Sequence, residues 1–152
     1  MELGRNPPQN ISAEQAALGS MLLQEDAILH GVDILRPEDF YKKSHQIIFK
    51  CILELFEKSR GVDLVTLTEE LNRVNLLEEI GGVTYLTNLI NSVPTAANIE
   101  YYIKIIEEKS ILRNLINSAT KIISMGYEEK EDAKILLDKA SFELIEILTF
   151  LN

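Results

Sequence analysis

The stretch ANIEYYIKIIEEKSILRNLINSATKIISM, residues 97–125, decides the architecture. Ile99, Ile103, Ile106, Ser110, Leu112, Leu115, Ala119, Ile122 and Ile123 recur at helical spacing, and no proline or glycine intervenes before Gly126. One continuous helix, nearly twice the usual length, is expected there. Gly126 and the polar run Tyr127-Glu128-Glu129-Lys130-Glu131-Asp132 read as a turn. Residues 132–151 then carry Ala133, Leu136, Leu137, Ala140, Leu144, Ile147, Leu148 and Leu151 on a second long helix. Two long helices joined by a short turn make an antiparallel helical hairpin over residues 96–152.

Upstream, residues 12–95 read as a small globular helical unit, and residues 1–11, with Pro7-Pro8, as a flexible or extended N-terminal arm. Ser12-Ala13-Glu14-Gln15 has the form of a capping box that opens a helix over 12–23 on Ala17, Leu18, Met21 and Leu22. A second helix, 25–35, stops at Arg36-Pro37, because the residue before proline is pushed out of the α region. Ser44 is expected to cap a third helix, 45–59, whose stripe Ile47, Ile48, Cys51, Ile52, Leu55 and Phe56 marks it as the central core helix. Thr66-Leu67-Thr68-Glu69 reads as a further capping box, opening a helix through Val74. Gly81-Gly82 breaks the chain before a fifth helix on Val83, Tyr85, Leu86, Leu89 and Ile90, and Val93-Pro94-Thr95 closes the unit. Asp63-Leu64-Val65 is the one weak strand candidate, so the expected class is all-α.

Charge and composition narrow the function. The chain has 24 acidic against 15 basic side chains in 152 residues, a net charge of -9, which repels phosphate backbones and argues against stand-alone nucleic-acid binding. A single cysteine, Cys51, cannot form an intrachain disulfide, and Met1-Glu2-Leu3-Gly4 lacks the basic and apolar regions of a secretory signal, so a cytoplasmic location is expected. No apolar run approaches the ~20 residues needed to span a bilayer.

Catalytic signatures fail one by one. The sequence holds no GxxxxGK[ST], GxGxxG or GxSxG. Gly81-Gly82 follows Glu78-Glu79 and has no Lys or Arg beside it, so a plain helix break is the better reading than an anion cradle. His30 and His45 lie in different helices with no further ligand at metal-binding spacing beyond the weak candidates Asp26 and Asp33 near His30, and Cys51 sits in an apolar stripe. The acids Glu128, Glu129, Glu131 and Asp132 lack the alternation and glycine of an EF-hand loop. No metal, no cofactor and no catalytic residue is expected.

Apolar surface, by contrast, is in excess. On a helical wheel, Ile111, Leu112, Leu115, Ile116, Ala119, Ile122 and Ile123 span about 140°, more than one neighbouring helix covers, with Ile116 and Ile122 at the edges. On the returning helix Ile135 and Phe142 lie nearly opposite the main stripe, where a hairpin alone leaves them in water unless they fold back on the globular unit. This pattern favours self-association.

A series of short segments then becomes informative by its order: Pro7-Pro8-Gln9, Ala13-Glu14-Gln15, Leu18-Gly19-Ser20-Met21-Leu22, Asp39-Phe40-Tyr41, His45-Gln46-Ile47-Ile48-Phe49, Asp63-Leu64-Val65-Thr66-Leu67, Gly81-Gly82-Val83-Thr84-Tyr85-Leu86, and Val93-Pro94-Thr95-Ala96-Ala97-Asn98-Ile99-Glu100-Tyr101-Tyr102 leading to Lys109-Ser110. Over essentially its whole length the chain resembles the N-terminal domain of DnaB-type bacterial replicative DNA helicases. The resemblance implies a globular unit plus hairpin, and a non-enzymatic collar domain that mediates oligomerisation of a hexameric ring and docks the C-terminal helicase-binding domain of primase in the primosome. It also admits a helicase loader as a partner and implies that the ATPase domain which unwinds DNA is missing here.

On that resemblance, Tyr85, Ile116 and Ile122 are the primase-docking candidates, Tyr85 because it stands in the matching Gly-Gly-Val-Thr-Tyr-Leu segment and suits a half-wet interface. Self-association falls to Phe142, Ile135 and Ile145, with Tyr102 and Ile106 as additions. Two rival readings are a single-stranded DNA binding domain, opposed by the acidic balance, and a small helical enzyme or ligand-binding bundle, opposed by the lack of any convergent polar constellation.

Overall fold

The computed structural model describes residues 5–151, and among them every regular element is helical. Seven α-helices follow in order: α1 Ile11–Leu23, α2 Glu25–Ile34, α3 Lys43–Glu57, α4 Leu64–Arg73, α5 Gly82–Asn91, α6 Ile99–Glu128 and α7 Ala133–Leu151, with short 3-10 turns at Pro37–Asp39 and Ala96–Asn98. Two compact units result. One comprises residues 9–110; the other comprises 111–151 with residues 5–8, so α6 contributes to both.

Several helix starts differ from the local reading. The α1 cap is Asn10, whose Oδ1 accepts the Ala13 N–H at 2.9 Å from an extended backbone; Ser12 lies inside the helix and is exposed. Asp63-Leu64-Val65 forms no strand. Asp63 is the N-cap of α4, accepting the Thr66 N–H at 2.9 Å while Thr66 Oγ1 accepts the Asp63 N–H at 2.9 Å, so the capping box stands three residues earlier than the Thr66–Glu69 reading. The α3 helix begins at Lys43 without a side-chain cap, and the Ser44 Oγ is buried with no hydrogen-bond partner among the described residues. The proline stop after α2 is in place, with Leu35 extended. Gly81, at φ 109°, supplies the left-handed turn before α5. Gly126 does not stop α6, which continues to Glu128; Glu129, at φ 49°, makes the turn.

The unit of residues 9–110 is built around α1 and α3. The Phe40 and Phe49 rings pack at 5.0 Å, and Leu18, Met21, Ile48, Ile52, Leu67, Leu71, Leu86 and Leu89 are fully buried around them. From α6, Ile99, Ile103 and Ile106 join this core. Ser110 Oγ donates to the buried Asp39 Oδ1 at 2.7 Å, while Asp39 Oδ2 accepts the Arg36 N–H at 2.7 Å, which ties the first half of α6 to the turn before α3.

In the second unit α7 runs back along α6. Lys121 on α6 pairs with Glu143 on α7 at 3.7 Å, and Lys139 on α7 contacts Glu131 in the turn. Of the arm expected over residues 1–11, residues 1–4 lie outside the described residues. Residues 5–10 form no regular element, and the Pro8 carbonyl accepts a bond from Arg113 Nη1 at 2.8 Å.

Candidate interaction surfaces

Tyr85 projects from α5 at the end of a hydrogen-bonded series that starts in the core. The Glu14 carboxylate, 2% exposed on α1, accepts the Tyr41 N–H at 2.7 Å and the Lys42 N–H at 3.3 Å. It lies 2.7 Å from Nδ1 of His45, which is wholly buried at the start of α3. His45 Nε2 in turn meets the Tyr85 hydroxyl at 2.6 Å, with the two rings stacked at 5.9 Å. A carboxylate only accepts, so the Nδ1 proton belongs to the Glu14 bond, and Nε2 carries the series on to the Tyr85 hydroxyl. Tyr85 is half-buried, and the Lys42 ammonium stands 3.4 Å from its oxygen and 4.8 Å from its ring centre. Tyr41 is exposed next to Lys42.

The sequence reading singled out Tyr85 but not Glu14, and it weighed His45 only as a metal ligand. These partners lie 31 and 40 residues apart, beyond any local pattern. The available signal was a carboxylate set among Ala13, Ala16, Ala17 and Leu18, where a charge is tolerated only if it is satisfied.

The hairpin surface is of a different kind. Among the described side chains of residues 111–151, no apolar one is buried; only Ser118 is. Leu112, Leu115, Ile116, Ile123, Ile135, Leu137, Phe142, Leu144, Ile145, Leu148 and Leu151 are all exposed. Phe142, at 61% exposure, Ile135 and Met125 line an open groove of about 320 Å³ rimmed by Asp138, Lys139 and Glu143. Ile116 is exposed and Ile122 half-buried. The structure thus brings Ile135 and Phe142 to one groove, with Ile145 exposed on the same helix.

In the other unit Tyr102 is half-buried, its hydroxyl donating to the Thr95 carbonyl at 3.3 Å. Ile106 is a correction: it is 1% exposed within the core of residues 9–110 and is therefore a packing residue, unavailable to a second copy. The helical stripe alone does not separate its two uses, because core and interface residues share one spacing.

Among the described residues no three His, Cys, Asp or Glu side chains gather to hold a metal ion, and no helix is long and apolar enough to cross a membrane. Cys51 is buried, and desolvation, reinforced by Glu54 and Glu70, pushes its thiol up to about 11.

Comparison with known proteins agrees with this architecture. A family model described as DnaB-like helicase N-terminal domain matches residues 6–108. Replicative DNA helicase DnaC of Bacillus subtilis (strain 168) is 52% identical over 143 residues, covering 94% of this chain and 32% of the relative. The chain spans about a third of the length of the curated relatives it matches first. Among solved structures, the N-terminal domain of DnaB helicase from Mycobacterium tuberculosis superposes with a TM-score of 0.85 at 42% identity, over 93% of this chain and 99% of that one. A DnaB-like replicative helicase, determined together with its interactions with primase, gives a TM-score of 0.75 at 31% identity, over 91% of this chain and 31% of that one.

Proposed function

The chain belongs to the DnaB-like helicase N-terminal domain family, and on that premise we propose that it is a non-enzymatic interaction module of a replicative DNA helicase, associating with copies of itself and docking primase. The observation that carries this reading is the hairpin without a core of its own: two long helices that leave a dozen large apolar side chains in water need another surface to cover them. In this reading Ile135, Phe142 and Ile145, with Tyr102, serve self-association. Tyr85, Ile116 and Ile122 serve primase, a partner supported by the interaction that a 31% identical relative makes. Labour divides along the chain, a globular unit over 12–95 and a hairpin over 96–152.

A calorimetric titration with the C-terminal helicase-binding domain of primase tests this. Saturable binding is expected, weakened by Tyr85→Ala and by Ile116→Ala without loss of helicity. Binding unaffected by either change would move the docking surface elsewhere, and no binding, even by two tethered copies, would remove primase as the partner.

A further inference from the structure

Lys42 is an exposed lysine held at both ends. Its backbone N–H is fixed by Glu14 Oε1 at 3.3 Å, the same oxygen that meets His45 Nδ1. Its ammonium rests on Tyr85, 3.4 Å from the hydroxyl that His45 Nε2 fixes from the other side. The Tyr85 oxygen is consequently engaged twice within the chain, toward the imidazole and toward the ammonium. The ammonium keeps further donors directed to solvent and has no carboxylate within 4.0 Å among the described residues. A surface lysine ordinarily wanders, and ordering it on binding costs rotamer entropy; here that ordering precedes any partner.

We propose that Lys42 is a specificity-determining contact for a carboxylate on the docking partner, and that Glu14, His45 and Tyr85 are the positioning residues that present it. The proposal rests on the reading of Tyr85 as part of the primase-docking surface. In it the tyrosine serves as a platform for a cation. Charge complementarity favours an acidic partner segment: on a chain of net charge -9, most surfaces repel carboxylates, and a fixed cation beside the equally exposed Lys43 marks where one is accepted.

The test is a titration of the primase helicase-binding domain against the 152-residue chain and its variants at several salt concentrations, each variant first checked by circular dichroism and thermal unfolding. Lys42→Met, which keeps the stem and removes the charge, is expected to weaken binding about tenfold and to flatten its salt dependence, whereas Lys104→Met on α6 leaves both unchanged. In a double-substitution cycle, Tyr85→Phe and Lys42→Met together are expected to cost less than the sum of the two alone. Tyr85→Ala weakening binding while Lys42→Met does not would overturn this proposal and leave the docking surface standing. Additive losses, or an equal loss in Lys104→Met, would also overturn it, the first by uncoupling Lys42 from the hydroxyl and the second by showing a general charge effect. Indifference to both Tyr85→Ala and Lys42→Met, or no binding at all, would overturn the docking surface and the proposal together.

Discussion

A methyl group built on Gly19 would stand 2.2 Å from the Leu89 carbonyl oxygen and 2.4 Å from a Val93 methyl, so α1 and α5 touch where only hydrogen fits. The nearest obstacle is backbone and cannot swing away. Gly19→Ala is expected to destabilise the chain by about 1–3 kcal/mol in denaturant unfolding, while Gly61→Ala, with nothing within 4 Å, stays within about 0.5 kcal/mol. Cys51 supplies a second test. Its folded thiol titrates at about 11 against an ordinary 9.0, so the native protein should resist iodoacetamide at pH 8 and react once unfolded. The sign of the linkage follows: folding keeps the proton that the unfolded chain gives up, so this contribution is complete below pH 9 and is lost as pH rises from 9 towards 11. Burial of Cys51 was legible in its stripe, because period and hydrophobicity agreed. The Glu14 and His45 pairing was not, since a satisfied buried charge is created by residues distant in sequence.

At the scale of elements, the seven helices followed from apolar spacing and from proline and glycine punctuation, but their first residues did not. Serine and threonine occur at Ser12, Ser44 and Thr66 in capping-like contexts, yet none of the three is an N-cap; Asn10 and Asp63 hold two of the caps, each on an extended backbone and accepting the N–H three residues on. The weak strand candidate at Asp63-Leu64-Val65 has the same outcome, the β-branched Val65 being outweighed by a reciprocal cap. Within α4, Arg73 donates to the buried Glu70 carboxylate through Nη2 at 2.5 Å and Nε at 3.2 Å and holds it below the usual carboxylate range. A carboxylate depressed on folding stabilises above its ordinary value of 4.5, and that contribution is lost as pH falls through the lower folded value. Arg73→Met is therefore expected to be less stable than the parent at pH 7, with the difference narrowing on acidification below pH 4.5; a difference independent of pH would assign the loss to packing of the arginine stem.

For the molecule as a whole, the excess of apolar side chains on the hairpin was visible in the helical wheel, including Phe142 and Ile135, which the structure leaves exposed. The assignment of Ile106 to self-association failed, because which stretch of a long helix enters a core depends on what folds beneath it. Replacing Phe142 by Asp is expected to lower the mass observed by native mass spectrometry while helicity by circular dichroism is kept. Loss of both together would mean that Phe142 supports the fold of the hairpin and not an assembly. One feature of the globular unit also bears on how the protein is made. Helix α1 is buried nearly all round, and its principal neighbour, α5, begins about 70 residues later. At a synthesis rate of roughly 5–20 residues per second, a newly made α1 waits several seconds for the surface that covers it. During that interval the face of α1 that α5 later covers, Gly19 included, is open to chaperones and to other nascent chains.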